Sequence, residues 1–224
     1  GGRHECLEPM SAPAPAAPSG AIAWATPADD PDAWLTATER APLEARGTER
    51  RIADRLLGRV AAKRAVCQLT GAAPTAFTIA TADSGEPVVL GLEGVRVSIS
   101  HREGRAVAMA VASGRVGVDL EAVEPRDPSF AVTWFDAREQ QILAGDPALL
   151  TVGWGAKEAV LKVIGQGMAC SPRDVHVRAI DGDQVRVDLT GAVADHVAEL
   201  GGELRLWWEI ADAGQVLVTA RLAS

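Results

Sequence analysis

The sequence predicts an α+β chain built from two similar α/β halves, a pseudo-dimer in one polypeptide. Three observations lead there. Short β-type runs alternate with Asp/Gly turn signals along much of the chain. Two helical segments share a pattern, Ala62-Lys-Arg-Ala-Val66 and Ala156-Lys-Glu-Ala-Val160, and each reaches a glycine, Gly71 or Gly165, after the same interval. Each is followed by a strand, an Asp/Gly turn and a strand at an offset of ~94 residues, the trace that duplication of one unit leaves. The competing account is a chance match between helices of an Ala-rich chain.

Residues 1–20 are expected to stand apart as a flexible tail, a linker or added sequence. Ser11 to Gly20 contains only Ser, Ala, Pro and Gly, which cannot pack a core. No basic stretch followed by an apolar one is present there, so no secretory signal is read. The first half is expected over 21–113 and the second over 114–224. Residues 39–68 read as helical, broken near Pro42 or Gly47 and ended by Gly71 and Pro74. Residues 77–81 and 87–90 flank Asp83-Ser-Gly85 as a hairpin. Residues 95–100 and 106–112 are short strands joined by Arg102-Glu-Gly104, and 116–121 is a further strand. Helices are expected over 136–144 and from near Gly155 to Ile164. A second hairpin turns at Asp181-Gly182, between 175–180 and 184–189. A helix over 192–200 and strands over 204–210 and 216–222 complete the chain.

Composition excludes several classes. At 47% hydrophobic residues, the 224-residue chain can bury one large core or two packed halves. A formal charge of −8 argues against a general nucleic-acid binder. Cys6, Cys67 and Cys170 are odd in number and form no CxxC, which argues against a disulfide framework or a zinc site and suits a reducing cytoplasm. No apolar run approaches the ~18 residues of a membrane span.

Four segments carry chemistry. In Val116-Gly-Val-Asp-Leu-Glu121, strand alternation puts Gly117, Asp119 and Glu121 on one face. Two carboxylates there repel unless water or a cation bridges them, and magnesium accepts such oxygen ligands while leaving positions for phosphates. The plainer account is the polar face of an edge strand. In Trp154-Gly-Ala-Lys-Glu-Ala-Val-Leu-Lys162, Glu158 and Lys162 lie opposite an apolar stripe. Such a pair is common on helix surfaces, but Trp154 and Leu161 bracket it, which favours a cleft. Asp136 and Glu139 fit either a capping box or a further carboxylate at a site. Ser98-Ile-Ser-His101 enters a turn, where Ser100 and His101 have phosphate-donor character. The 40–64 stretch holds Arg40, Arg46, Arg50, Arg51, Arg55, Arg59, Lys63 and Arg64, a basic run read as a solvated face or as a site for a polyanion.

Taken in order, Val-Gly-Val-Asp-Leu-Glu, Phe-x-x-x-Glu and Trp-Gly-Ala-Lys-Glu-Ala-x-x-Lys resemble the 4′-phosphopantetheinyl transferases, with the length and two-halved organisation of the surfactin type. The resemblance covers roughly residues 40–190. It implies a monomer with its site between the halves, moving the phosphopantetheine arm of coenzyme A to a serine of an acyl or peptidyl carrier protein and releasing adenosine 3′,5′-bisphosphate. By motif position, Asp119, Glu121 and Glu158 would hold Mg2+, Glu158 would act as base and Lys162 would neutralise the pyrophosphate. Ser100 and His101 would meet coenzyme A phosphates. Lys63, Arg50 and Arg46 would serve its nucleotide end, and Asp119 would also face the coenzyme. The carrier would dock near 165–196. One departure stands out: the family often has Gly-Lys-Pro where this chain has Gly85-Glu-Pro87, so a cation from 46–64 is expected to compensate. The alternatives are a magnesium-dependent nucleotide phosphohydrolase and an inactive carrier-binding homologue.

Overall fold

The computed structural model describes residues 20–45, 47–165 and 170–223, apart from the side chain of Ala213. The elements run β1 (Ala21–Ala25), α1 (Ala37–Glu44), α2 (Glu49–Thr70), β2 (Thr78–Thr81), β3 (Pro87–Leu90), β4 (Arg96–Arg102), β5 (Arg105–Val111), β6 (Arg115–Ala122), α3 (Pro128–Trp134), α4 (Ala137–Leu143), α5 (Pro147–Ile164), β7 (Val175–Asp181), β8 (Gln184–Leu189), α6 (Gly191–Leu200), β9 (Glu203–Ala211) and β10 (Gln215–Ala223). They form two antiparallel five-stranded sheets, β1-β5-β4-β3-β2 and β6-β10-β9-β8-β7. Advancing every strand of the first order by five reproduces the second. The two halves therefore share one topology, which random Ala-rich helices would not produce.

Each sheet buries one face against a long helix. Thr48 caps α2 and Gly71, at φ 72°, ends it in the left-handed region that glycine enters without strain. Its Leu57, Val60, Ala61, Ala65 and Val66 pack with Ala23, Phe77, Ile79, Val97 and Ala108. In the second half Asp146 caps α5, Pro147 occupies its first turn and Gly165 ends it at φ 69°. Ala156, Ala159, Val160 and Val163 pack there with Val177, Leu206, Val218 and Ala220. A third cluster joins the halves: Val107, Met109 and Val111 of β5 meet Val116, Val118 and Leu120 of β6 and Leu217 of β10. Each such side chain, taken fully out of water, contributes about 1.5–3 kcal/mol.

The duplication reaches into a buried ion pair. Thr36 and Asp136 open α1 and α4 as capping boxes with Glu39 and Glu139. Glu39 pairs at 2.7 Å with Lys63 of α2, and Glu139 pairs at 2.7 Å with Lys157 of α5. Each glutamate also accepts a main-chain N–H from the following hairpin, of Ile79 or Val177. Each lysine donates to a carbonyl, of Phe77 or Val175, and lies over a phenylalanine ring, of Phe77 or Phe135. Asp136-x-x-Glu139 is thus a cap and an ion pair, with no carboxylate free for a site.

One expected boundary is corrected and two elements are added. Helix α5 begins at Pro147 rather than near Gly155, because Asp146 and Pro147 form its N-terminus. The break in the first helical region falls at 45–48, at Gly47 of the two expected places, and Pro42 lies inside α1. Strand β1 and helix α3 were not read from the sequence. Ala21-Ile-Ala-Trp-Ala25 has little β propensity of its own and is held by its register with β5, Ala23 opposite Ala108. Among the described residues no helix is long and apolar enough to cross a membrane.

Candidate active site

Strand β6 is the edge of the second sheet, yet both its faces are covered. Val116, Val118 and Leu120 face the first half. Gly117, Asp119 and Glu121 face α5. A β-carbon on Gly117 would fall inside the Ala159 carbonyl, and one on Gly155 would come within 2.8 Å of Val218 and 3.7 Å of Asp119 Oδ2. These two glycines let α5 lie directly on β6 and β10, and that contact carries Glu158 and Lys162 to Asp119. The polar face of β6 is therefore no solvated edge.

The free edge of β6 would leave main-chain N–H groups unpaired. The Val118 N–H donates to Ser98 Oγ at 3.0 Å and the Leu120 N–H to Ser100 Oγ at 3.1 Å. The two-residue period of Ser98-Ile-Ser100 in β4 matches the two-residue period of β6. Ser100 then donates to Asp119 Oδ1 at 3.2 Å. Ser100 is buried, accepts from the Leu120 N–H and donates to Asp119, and so orients the Asp119 carboxylate.

Lys162 donates to Asp119 Oδ1 and to the Val118 carbonyl, both at 2.8 Å. Asp119 Oδ2 and Glu121 Oε2 are buried without hydrogen-bond partners. Burial and the Asp119 carboxylate push Glu121 above the ordinary carboxylate range, against the pull of Arg102 and Arg126. Burial, Asp119 and Glu121 push Glu158 up in the same way, against Lys162. Glu121 and Glu158, both raised beside Asp119, and the unpartnered oxygens of Asp119 and Glu121 form the oxygen-rich environment that suits a hard divalent cation. Asp136, Glu139 and His176 also bring ligand-type atoms within 4.8 Å. Those groups are already satisfied: Glu139 by Lys157, and Asp136, lowered to about 2 although burial opposes it, by the Glu139 amide, Arg178 and His176.

Glu158, Leu161 and Lys162 open onto a cleft of about 570 Å³ whose other wall is first-half chain, including Glu86, Pro87 and Ile99. Trp154 packs edge-on against Phe130 at 5.5 Å and tilted against Trp134 at 5.2 Å, and its side chain hydrogen-bonds the Glu121 carboxylate. Glu86 is bound by Arg115 at 2.9 Å, and Arg115 also donates to the Val163 carbonyl at 2.5 Å. Arg115 thus ties the first-half hairpin to the end of α5, a role with no local sequence signal.

The basic run 40–64 divides. Arg55 donates to the Leu43 carbonyl and caps α1, Arg59 donates to the Thr81 hydroxyl, and Arg64 binds the Trp24 carbonyl and Asp29. Lys63, expected at a nucleotide, is wholly buried in its ion pair, because the basic stripe of α2 runs from exposed Arg51 into the core. Of the cations proposed to compensate for Glu86, Arg46 lies outside the described residues and Arg50 is exposed. Arg50 lines a second groove of about 400 Å³ with Glu103 and Gly104 of the β4–β5 turn, and His101 stands exposed just before that turn.

Fold and site together define a protein of two duplicated α+β halves with a carboxylate–lysine cleft at their junction. Residues 115–212 match the family model of the 4′-phosphopantetheinyl transferase superfamily. It is 30% identical over 119 residues to the 4′-phosphopantetheinyl transferase psf-1 of Bacillus pumilus, covering 51% of each chain. It is 27% identical over 139 residues to the 4′-phosphopantetheinyl transferase of Bacillus subtilis, covering 60% of this chain and 62% of that one. The chain thus spans between about half and two thirds of these relatives' length. The solved acyl carrier protein synthase of Mycobacterium tuberculosis is similar at 28% identity and a TM-score of 0.36, over 49% of this chain and 96% of that one.

Proposed function

We propose that this chain transfers the 4′-phosphopantetheine arm of coenzyme A to a serine hydroxyl of an acyl or peptidyl carrier protein, releasing adenosine 3′,5′-bisphosphate. The observation that carries this reading is the convergence of Asp119 and Glu121 from β6 with Glu158 and Lys162 from α5, the last two lining a cleft between the halves. The halves are taken as residues 21–113 and 114–224. Asp119, Glu121 and Glu158 would hold Mg2+, which neutralises pyrophosphate charge when bound. Glu158 takes the proton of the attacking serine, whose hydroxyl is a weak nucleophile without a positioned base. The serine oxygen forms a bond to the β-phosphorus of coenzyme A, and the bond to the bridging pyrophosphate oxygen breaks. Lys162, on the cleft wall, faces the charge that develops on the leaving group. Arg50 and His101 are the candidate contacts for coenzyme A phosphates. The carrier docks on the surface around 165–196, of which 166–169 lie outside the described residues. A cleft formed within one chain supports a monomer as the acting unit.

The test is incubation with coenzyme A, Mg2+ and apo carrier proteins from fatty acid, polyketide and nonribosomal peptide assembly, followed by intact mass. A gain of one phosphopantetheine supports transfer. Coenzyme A cleavage without a mass gain would identify a phosphohydrolase instead, and binding of carriers without either change would identify an inactive homologue.

A further inference from the structure

Glu121 is gripped by two arginines that no motif announces. Its Oε2 lies 3.5 Å from Arg102 Nη1 and 3.6 Å from Arg126 Nη2, charge-paired without hydrogen bonding to either. Arg102, at the end of β4, gives its one short contact to Glu124, at 2.9 Å. Arg126 follows β6, is 16% exposed, and lies over the Phe130 ring at 5.0 Å. Arg102 Nε, Arg126 Nε and Arg126 Nη2 are buried and without hydrogen-bond partners. Unpaired donors and unpaired carboxylate oxygens thus stand side by side, an arrangement costly to bury unless a ligand completes it.

The charges explain the arrangement. Asp119, Glu121 and Glu158 contribute three negative charges; Lys162, Arg102 and Arg126 contribute three positive ones. Glu124 is 45% exposed at the rim, where water screens it. A free divalent cation meets a site with almost no net charge to attract it. A cation accompanied by a pyrophosphate meets carboxylates for the metal and guanidiniums for the anion at the same place.

We propose that Arg102 and Arg126 are positioning residues that hold Glu121 in the free protein and make the site accept a divalent cation together with a pyrophosphate-bearing ligand rather than the cation alone. This rests on the reading of Asp119, Glu121 and Glu158 as the cation-holding group. It predicts opposite effects from removing one guanidinium: the cation alone binds more tightly, and the anion's contribution falls. A merely structural fault would weaken both.

The test is Mn2+ binding to the full chain by electron paramagnetic resonance, with and without inorganic pyrophosphate. In the wild type, pyrophosphate should tighten a weak Mn2+ site. Arg126→Gln should bind Mn2+ alone about tenfold more tightly, since one opposing charge is gone, and respond less to pyrophosphate. Arg126→Lys, which keeps the charge, should return towards wild type. Arg102→Gln, at a residue one-third exposed, should move the same way and serves if Arg126→Gln does not fold. Unchanged or weaker Mn2+ binding in the glutamine variants, with binding lost in Asp119→Ala, overturns the inference alone. No Mn2+ binding in the wild type even with pyrophosphate overturns the cation-site reading and the inference with it.

Discussion

Replacing Lys63 by methionine separates a structural role from a ligand-binding one. The Lys63 ammonium is wholly buried, 2.7 Å from Glu39 Oε1, 2.6 Å from the Pro74 carbonyl and 2.5 Å from the Phe77 carbonyl. Methionine fills most of the volume but leaves the Glu39 carboxylate, itself 7% exposed, with neutral donors, the Thr36 and Ile79 amides and the Thr36 hydroxyl. Breaking a buried pair from one side costs about 3–5 kcal/mol. For a chain of this size that is a fall in Tm of about 6–20 °C. Burial alone would raise Glu39, but Lys63 and the Thr36 and Ile79 amides overcome it and hold the carboxyl below its ordinary value. A depressed native pKa means stabilisation that is present above the unfolded value and lost as pH falls through the native one. The gap between wild type and Lys63→Met is therefore full at neutral pH and narrows in acid, where Glu39 is protonated in both. Urea unfolding at several pH values measures it. Adding Glu39→Gln to the variant should recover part of the loss, because the uncompensated charge goes. Stability within about 0.5 kcal/mol of wild type, as for an ordinary surface substitution, with coenzyme A affinity reduced, would refute the reasoning and return Lys63 to the site.

Other substitutions test the site itself. Glu158→Gln should abolish phosphopantetheine transfer by intact mass while raising the Tm of the metal-free protein at pH 7; its native pKa is raised, so its charge opposes folding above that value, and a lower Tm would contradict this. Ser100→Ala removes the acceptor for the Leu120 amide and the donor to Asp119, and should cost about 1–3 kcal/mol in chemical denaturation together with a lower transfer kcat. Unchanged stability would place the serine outside the β4–β6 junction. Gly117→Ala drives a methyl into the Ala159 carbonyl and should cost more than the usual 1–3 kcal/mol of an overpacked core, because backbone rather than side chain must yield. A wild-type Tm and rate would show that α5 does not lie on β6 as described.

Much of the fold was legible because it rests on local signals. Gly71 and Gly165 end their helices where the sequence indicated, and the Asp83-Ser-Gly85 and Asp181-Gly182 turns sit in their hairpins. The repeat was visible as Ala-Lys-x-Ala-Val because each copy must fit a small-residue helix against a sheet and send one lysine inward. Strand β1 was not legible, since its alanines form a strand only when β5 is present to pair with them. The basic run misled for a related reason: the spacing of Arg51, Arg55, Arg59 and Lys63 describes a helix face, but not whether that face meets water. In the structure it passes from exposed Arg51 to wholly buried Lys63.

The sequence by itself determined the two α+β units, the order of most of their elements, and the carboxylate and lysine pairs on β6 and α5, because periodicity and turn chemistry act over a few residues. Only the tertiary structure decided what those residues face. It put β6 between α5 and the first half, turned Ser98 and Ser100 into partners for an otherwise open strand edge, withdrew Lys63 and Glu139 into matching buried ion pairs, and brought Arg102 and Arg126 to Glu121. Arg102 reaches its partner from the other half of the chain. Its contact follows from how the two sheets pack, which no local spacing encodes.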